Sequence, residues 1–268
     1  MGVFHVVSLG AGVQSSTMLL MLAEGALNYP KPDVAIFADT GWEPRAVYKH
    51  LDWLESEVSK HGVKIVRTSR SNIREDMINC AEKGVYAYTM PLFTKDDETG
   101  KQGILMRQCT YAYKIQQIRR TIRQLLGYGP KGRVKEKVKM YLGISIDEVH
   151  RMKPSPVKYI EHVYPLVENG ISRDDCLAWM AARGYPKPPK SACIGCPYHS
   201  DRIWAEMKRN DPESWADAVD FDRRIRRMPK IKSSLYLHVS RKPLDEVVFN
   251  ENDDTDHFGN ECEGMCGL

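Results

Sequence analysis

The stretch VFHVVSLGAGVQSST at residues 3–17 decides the fold of this chain. Its first half is a short apolar segment typical of a buried strand, and the glycines Gly10 and Gly12 end that segment. From Ser15 to Glu24, apolar residues recur at the spacing of one helical face. A strand, a glycine turn and a helix in this order predict the opening of a βα unit.

Further strand-like segments follow, separated by helical patterns. Largely apolar runs at residues 34–38, 63–66 and 139–144 alternate with segments whose apolar residues share a helical face. This alternation predicts right-handed βαβ units, and apolar strands indicate a sheet that is covered on both faces. We therefore predict an α/β fold. A Rossmann-like parallel sheet flanked by helices would form a nucleotide-binding core at 1–150, followed by a smaller, mainly helical, cysteine-containing C-terminal region with a flexible tail at 151–268.

The glycine loop has the chemistry of a phosphate site. Glycines let backbone N–H groups approach an anion closely, the hydroxyls of Ser15 and Ser16 add donors, and the following helix presents its positive end. A tight turn without a ligand is the alternative. Because ligands of open parallel sheets lie at the carboxyl ends of strands, we expect Ser8 and Asp39 beside the loop. There Asp39 would bind Mg²⁺ or a ribose hydroxyl, or would only cap the next helix.

Length and composition bound the class of protein. The chain has 268 residues, of which 42% are hydrophobic and 28% are charged, so it can form one well-buried core with a small appended lobe. No apolar run approaches the roughly 20 residues of a membrane span, and no secretory signal is apparent. We therefore expect a cytoplasmic protein whose seven cysteines are metal ligands or catalysts rather than disulfides. Cys80 and Cys176 lie among apolar helical neighbours and are expected in the core.

The net charge of +4 is unevenly distributed. One basic run contains a single acid, Glu136, and comprises Arg119, Arg120, Arg123, Lys131, Arg133, Lys135, Lys137 and Lys139. A second run comprises Arg223, Arg224, Arg226, Arg227, Lys230 and Lys232. Such runs can contact the phosphates of a nucleic acid or a nucleotide, and solvated surfaces balanced by acids elsewhere are the alternative. Arg151 and Arg241 are further candidates for holding a phosphate or sulfate, with ordinary structural roles as the alternative.

The remaining cysteines suggest metal or thiol chemistry. Cys193 and Cys196 form a C-x-x-C pair followed by proline, which lets one turn supply two thiolates, and Cys-Pro endings recur at iron–sulfur clusters. Cys109 opens an amphipathic helix, where a thiol pKa is lowered. The tail adds Cys262 and Cys266. There are two alternatives to a cluster: free thiols, or a structural Zn²⁺ site made by Cys193, Cys196, Cys262 and Cys266.

Four segments together resemble the PP-loop ATP-pyrophosphatase superfamily, and in particular its phosphoadenosine phosphosulfate (PAPS) reductase family. Residues 8–16 resemble the PP-loop, and residues 37–44 (FADTGWEP) resemble the second nucleotide motif of that family. Residues 107–115 and 191–197 are also similar to it. The resemblance implies the adenine nucleotide alpha-hydrolase-like fold. It also implies an adenine-nucleotide site formed by Ser8, Gly10, Ala11, Gly12, Gln14, Ser15, Ser16, Asp39, Thr40 and Gly41.

The resemblance also implies roles for the thiols. Cluster-bearing members ligate a [4Fe–4S] cluster with cysteines at the first position and a later C-x-x-C pair, here Cys109, Cys193 and Cys196. Those members carry two adjacent cysteines at the first position, whereas this chain has one, so we assign the fourth ligand to Cys262 of the tail. The C-terminal Cys-Gly-Leu resembles the Cys-Gly-Leu-His ending that attacks the substrate sulfur, without its histidine. It assigns Cys266 to catalysis, with the fourth metal-ligand position as the alternative.

Three functions stay open at this point. Gln14 stands where ATP-splitting members usually carry aspartate, which favours reduction of an adenylyl sulfate (PAPS or its 3′-unphosphorylated analogue) to sulfite with a thiol reductant such as thioredoxin. The basic runs and the lone Cys109 favour an ATP-dependent sulfurtransferase that adenylates and thiolates a nucleic acid, tRNA or DNA, with a separate sulfur donor. A non-catalytic nucleotide-sensing subunit is the third hypothesis.

Overall fold

A computed structural model describes residues 2–252 of the chain, so Cys262 and Cys266 lie outside the described residues. The strands are β1 (Val3–Leu9), β2 (Val34–Asp39), β3 (Lys64–Ser69), β4 (Phe93–Lys95), β5 (Gln102–Ile104), β6 (Lys137–Leu142), β7 (Ile160–Val163) and β8 (Ser234–Tyr236). The helices are α1 (Val13–Glu24), α2 (Arg45–Ser59), α3 (Ile73–Lys83), α4 (Gln116–Leu125), α5 (Pro165–Glu168), α6 (Arg173–Ala182), α7 (Asp201–Asn210) and α8 (Pro212–Arg224). A π-helical turn at Thr110–Ile115 precedes α4, and 3₁₀ turns span Ile146–Arg151 and Leu244–Glu246.

Within the described residues, the main sheet has five strands in the order β3-β2-β1-β6-β7, and every neighbouring pair is parallel. This confirms the predicted α/β fold with a parallel sheet flanked by helices. The strand β1 is central, and the chain moves to β2 on one side of it and later to β6 on the other. Such a reversal of strand order opens a crevice at the carboxyl ends of the strands, and the glycine loop lies there.

Both faces of the sheet are covered, which explains its apolar strands. Alternate residues of a strand face opposite sides, so Val7 packs with α1, α2 and α6 in one core, whereas Val6 packs against α4 in another. Ile118 and Ile122 of α4 are fully buried in that second core. The helix α4 therefore runs along the sheet from the carboxyl edge towards the amino edge.

A second region adjoins the sheet and has its own core. The antiparallel strands β5, β4 and β8 pair in that order, and α3, α7 and α8 pack with them around Trp204, Phe221 and Leu235. Because β8 pairs with β4, the two halves of the sequence are interleaved. The strand β7 extends the main sheet beyond residue 150, so the edge of that sheet does not coincide with the predicted boundary. No helix among residues 2–252 has the length and apolarity to cross a membrane.

Candidate functional site

The glycine loop forms a buried turn between β1 and α1. Ala11 adopts a left-handed φ of 60°, a conformation that costs energy for a residue with a Cβ and is often found at functional sites. The N-cap of α1 is Gly12, which has no side chain to cap the helix. The first backbone N–H groups of α1 therefore lack a side-chain cap from that position and are suited to an anion. The hydroxyl of Ser15 accepts a hydrogen bond from Gly10 N at 3.3 Å and holds the turn closed.

Close packing against β6 holds the loop in place. A Cβ added to Gly143, just beyond the end of β6, would lie 2.6 Å from the Cα of Ser15. Real Cβ atoms do not approach backbone so closely, so a side chain at Gly143 would displace the start of α1. Leu142 also pairs with Ser8 in the sheet register, and Ser8 is fully buried. The loop thus rests on two neighbouring strands.

Gln14 is a buried side chain whose polar atoms have no hydrogen-bond partner among the described residues. It is 1% exposed, and within residues 2–252 neither its Oε1 nor its Nε2 makes a hydrogen bond. An unsatisfied buried polar group costs about 1–3 kcal/mol, so such groups are rare without a functional reason. The side-chain amide of Gln14 is therefore a candidate for contact with a bound ligand.

Ser16 is hydrogen-bonded to a histidine that sequence analysis did not propose as a site residue. Its hydroxyl lies 3.0 Å from Nε2 of His50 on α2, and both residues are buried. Burial lowers the pKa of His50 to about 4, so the imidazole is neutral at physiological pH. This contact orients a hydroxyl of the loop without placing a charge beneath it.

The predicted residues Asp39, Thr40 and Gly41 form a tight turn at the end of β2. Oδ1 of Asp39 accepts hydrogen bonds from Gly41 N at 2.7 Å and from Tyr48 Oη at 2.9 Å, so part of the carboxylate stabilises the turn. Gly41 has a φ of 74°, which favours glycine. The turn lies beside the loop because β1 and β2 are paired neighbours, and binding of Mg²⁺ or ribose by Asp39 stays a prediction.

The C-x-x-C segment packs directly on both turns. Ile194 N donates to Trp42 O at 2.9 Å, and the hydroxyl of Ser191 donates to the carbonyl of Gly10. A Cβ added to Gly195 would lie 2.1 Å from the Trp42 ring, so the turn approaches that ring as closely as only glycine allows. Residues almost 200 positions apart in sequence therefore meet at the carboxyl edge of the sheet.

Cys193 lies in a polar cluster within this contact. Its Sγ is 3.2 Å from Thr40 Oγ1 and 3.8 Å from Glu43 Oε1. Glu43 also accepts a hydrogen bond from Thr40 Oγ1 at 3.1 Å, and Lys114 Nζ is 3.8 Å from the same Oε1. Burial and the nearby carboxylate of Glu43 raise the pKa of Cys193 well above its usual value, while Lys114 lowers it. Among these described groups, Cys193 is held as a neutral thiol.

Glu43 and Lys114 were missed as functional residues by sequence analysis. Both side chains are almost completely buried, 1% and 5% exposed, and Glu43 Oε2 has no hydrogen-bond partner within residues 2–252. The available signal was their position inside two of the family-like segments, at 37–44 and 107–115. Buried carboxylates and ammonium groups are almost always paired or functional. We therefore add both residues to the candidate site.

The other predicted cluster ligands lie in the same neighbourhood. Cys109 and Cys193 pack against the same core. Burial is the main cause that raises the pKa of Tyr198, and Cys196 and Cys109 raise it further through electrostatic interactions, so both sulfur atoms lie near that side chain. Cys196 N donates to Cys193 O at 3.1 Å, which closes the C-x-x-C turn. Thiolates suit an iron–sulfur cluster or zinc. Within 2–252, however, no three Cys, His, Asp or Glu side chains are arranged as a metal site, so Cys109, Cys193 and Cys196 do not form a preassembled ligand set.

The two predicted core cysteines have the surroundings expected of them. Cys176 is fully buried between α1 and α6, and burial raises the pKa of its thiol to about 12. Cys80 is half-buried on α3 and packs against the core of the second region. Neither thiol lies among the polar groups that surround Cys193.

Both candidate anion-binding arginines are engaged within the protein. Arg151 is buried and its Nη1 lies 2.6 Å from Glu148 Oε1, so its charge is neutralised locally. The guanidinium of Arg241 donates to the carbonyls of Thr94, Val239 and Gly103 in the small sheet, at 3.1, 2.7 and 3.3 Å. These contacts are structural, and anion binding at either residue stays a prediction.

The two basic runs differ in the folded protein. Four arginines of the second run pair with acids elsewhere in the chain: Arg223 with Asp245, Arg224 with Glu82 and Asp220, Arg226 with Asp222, and Arg227 with Asp97. In the first run, the ion pair found within residues 2–252 joins Lys139 to Glu161 at 4.0 Å. The solvated, balanced alternative therefore describes the second run, whereas the described part of the chain leaves most of the positive charge of the first run uncompensated.

No protein-family model and no curated protein matches this chain. Among solved structures, the U34-tRNA thiolase NcsA from Methanococcus maripaludis with its [4Fe-4S] cluster is similar at a TM-score of 0.40 and 16% sequence identity. The match covers 99% of this chain and 80% of that chain. A likeness at this level supports no conclusion about function, which must come from the residues of the site.

Proposed function

We propose that this chain is an ATP-dependent sulfurtransferase of the PP-loop type, with a nucleic acid as the acceptor. One observation carries the proposal: the Cys193 thiol lies 3.2 Å from Thr40 Oγ1, and Ser191, in the same segment as Cys193, donates a hydrogen bond to Gly10 of the glycine loop. Sulfur chemistry and nucleotide binding would then share one edge of the sheet. The uncompensated first basic run supports a polyanionic acceptor.

The loop would bind the phosphates of ATP. Backbone N–H groups at the start of α1 would face the phosphates, Ser15 and Ser16 would add hydroxyl donors, and the unpartnered amide of Gln14 would make a further hydrogen bond. The carboxylates of Asp39 and Glu43 would hold a Mg²⁺ ion bound to the nucleotide, because Mg²⁺ prefers oxygen ligands shared with phosphates. Lys114 would neutralise charge developing beside Glu43.

The reaction would proceed in two displacements. An oxygen of the acceptor base attacks the α-phosphorus of ATP, and pyrophosphate leaves with the bonding electrons. A hydrosulfide ion then adds its sulfur to the activated carbon, AMP leaves with the oxygen and the bonding electrons, and the remaining proton of the hydrosulfide goes to solvent. The protein would contribute alignment and charge stabilisation, which are the main sources of rate enhancement in phosphoryl chemistry.

The thiols would bind the transferred sulfur or a metal that holds it. Cys109, Cys193 and Cys196, completed by Cys262, would ligate a [4Fe–4S] cluster, which when bound would provide an attachment point for a sulfur atom. A Zn²⁺ ion on the C-x-x-C pair and the tail is the alternative. Cys266 would be either a further ligand or a thiol that receives sulfur.

Reduction of an adenylyl sulfate is the second candidate function. Gln14 favours it, because an uncharged amide can donate a hydrogen bond directly to a sulfate or phosphate. An aspartate at the same position would repel that anion unless a metal ion lay between them. In that reaction the thiolate of Cys266 attacks sulfur, the adenosine phosphate leaves, and a thiol reductant releases sulfite from the S-sulfonate.

Oxygen-free full-length protein tests both candidates. It is incubated with ATP, sulfide and either bulk tRNA or single-stranded DNA, and pyrophosphate and thiolated nucleic acid are measured; parallel reactions contain PAPS or its 3′-unphosphorylated analogue with thioredoxin, and sulfite is measured. We expect pyrophosphate release that rises with nucleic acid, loss of thiolation in C193S and retention in the control C80S. Sulfite production would support the second candidate instead, and intact ATP with neither product would indicate a nucleotide-sensing subunit.

A further inference from the structure

A cavity of about 330 Å³ opens where β3 ends, on the edge of the sheet that carries the glycine loop. Arg70, immediately after β3, lines it together with Tyr86 and Tyr88 from the segment after α3. Tyr113 and Arg120, from the segment that begins at Cys109, complete the wall. Two strand spacings, or about 10 Å, separate the ends of β3 and β1. The cavity therefore neighbours the candidate site without being part of it.

Aromatic rings and arginines alternate in this cavity. The guanidinium carbon of Arg70 lies 4.7 Å from the centre of the Tyr88 ring and 5.9 Å from that of Tyr113. The rings of Tyr86 and Tyr88 contact edge to face, with centres 5.4 Å apart. Tyr86 is 73% exposed, so most of its side chain is accessible to a ligand.

The charges of the cavity favour an anion. Its one carboxylate, Asp76, accepts hydrogen bonds from Tyr113 Oη at 2.5 Å and from the hydroxyl of Ser71, so the acid is engaged inside the wall. Arg70 and Arg120 are exposed, and within residues 2–252 neither forms an ion pair. Arg120 is also a member of the first basic run.

We propose that this cavity binds an unstacked nucleotide of a single-stranded nucleic acid, with the base on Tyr86 and the flanking phosphates on Arg70 and Arg120. Single strands are recognised through bases stacked on aromatic or guanidinium planes together with backbone phosphates held by cations, and the cavity supplies both. The choice of nucleic acid rests on the proposed function. A strand bound here would lie along the edge that leads to the C-x-x-C turn.

Fluorescence anisotropy of labelled 12-nucleotide single strands, one RNA and one DNA, tests the cavity in full-length protein without ATP. We expect Y86A to weaken binding about tenfold, because stacking of one base contributes a factor of that order, while Y86F, which keeps the ring, binds within about twofold of the original. R70A and R120A should each reduce the slope of log affinity against log salt by about one. Binding of either single strand supports the proposal, and the tighter one identifies the acceptor class.

R173A is the matched control, because Arg173 is an exposed arginine at the start of α6, outside both basic runs, and α6 packs on the face of the sheet opposite to α4. The proposal is overturned if R173A weakens binding as much as R70A, if Y86A binds like the original protein, or if a 12-base-pair duplex binds as tightly as the single strands. Pyrophosphate release from the original protein that rises with nucleic acid, together with normal strand binding by Y86A, would keep the proposed function and overturn the cavity. Normal single-strand binding without any ATP cleavage would instead preserve the cavity and remove that function.

Discussion

Two buried carboxylates, one in each region of the molecule, have opposite surroundings. Asp222 in α8 is completely buried, pairs with Arg226, and accepts hydrogen bonds from Leu237 N at 2.8 Å and Leu244 N at 3.1 Å. Glu43, at the carboxyl edge of the main sheet, has a distant ammonium partner at 3.8 Å, and its Oε2 has no hydrogen-bond partner within residues 2–252. The first acid is satisfied by its own fold, and the second is not.

The difference separates structural acids from functional ones. A buried charge that is fully hydrogen-bonded connects elements, here α8 to the segments around β8 and the last 3₁₀ turn. A buried charge with an open lone pair costs stability and is retained where a ligand completes it. Gln14 in the glycine loop belongs with Glu43 in this respect. Burial alone would not have distinguished these residues.

The largest effect should come from removing the satisfied acid. D222A leaves the charge of Arg226 and two backbone N–H groups without their acceptor, so we expect a loss of about 3–5 kcal/mol in the free energy of unfolding. Urea denaturation measures it. The control is D245A, because Asp245 pairs with Arg223 at the surface and its loss should cost less than about 1 kcal/mol. Equal losses in the two variants would remove the contrast on which the comparison rests.

The converse is expected for the open carboxylate. E43Q keeps the shape of the side chain and its contact with Thr40, and the ammonium of Lys114 is 3.8 Å away, so the loss in free energy of unfolding should be smaller than in D222A. Nucleotide-dependent turnover should fall about 100-fold or more if the negative charge holds a metal ion or stabilises the reaction. Rates per folded molecule and urea midpoints are measured together. A strong loss of stability with normal turnover would make Glu43 a structural acid like Asp222.

A smaller effect is expected from disturbing the surface on which the loop rests. G143A would place a Cβ 2.6 Å from Ser15 Cα, so α1 must shift, at a cost of about 1–3 kcal/mol in stability. Nucleotide affinity, measured by calorimetry, should fall with it. G129A is the control, because a Cβ at Gly129 meets nothing within 4 Å. Normal affinity in G143A would show that the loop does not depend on its contact with β6.

The smallest effect is the dependence of stability on pH that comes from His50, the buried histidine beside the glycine loop. Burial lowers the pKa of His50 from 6.5 to about 4 in the folded state, so the unfolded chain binds the proton more readily between these values. Stability from this group is present above pH 6.5 and is lost as pH falls towards 4. We expect about 1 kcal/mol less stability at pH 5 than at pH 7.5 from His50, after allowance for partial solvent screening.

H50Q isolates this contribution, because it removes the titrating ring while leaving other buried histidines in place. The difference in unfolding free energy between pH 5 and pH 7.5 should shrink by about 1 kcal/mol in H50Q relative to the original protein. His199, whose pKa burial lowers to about 3, keeps its own contribution in both proteins. If that difference is the same in H50Q, His50 does not contribute to it, which would mean that water replaces the contact between His50 and Ser16 in solution.

Several features of the site could be predicted from the sequence because they depend on local chemistry. The glycine loop between an apolar strand and a helix, and the C-x-x-C turn, are short segments whose backbone needs are visible in the residues themselves. Glu43 and Lys114 were not predicted, because an isolated acid or lysine gives no sign of burial. The cavity around Tyr86 was missed for a similar reason: its walls come from three separate segments.

The basic runs also show what sequence alone cannot predict, namely which charges are neutralised in the folded protein. In sequence both runs are dense in arginine and lysine, yet the acids that neutralise the second one lie as far away as Asp97 and Glu82. Charge in a sequence is local, whereas the electrostatic potential of a surface depends on every neighbour that folding brings near. Only the first run remained a candidate for binding a polyanion.

The sequence by itself determined that this chain forms a parallel α/β sheet with a glycine loop after its first strand, because periodicity and glycine placement act over a few residues. The tertiary structure alone decided which polar groups meet at the edge of that sheet and which are left without partners. It joined Ser191 to Gly10 and Cys193 to Thr40 across more than 150 residues. The reason is physical: hydrogen bonding, burial and charge compensation are set by distances in space, and these are fixed only when the helices and strands pack.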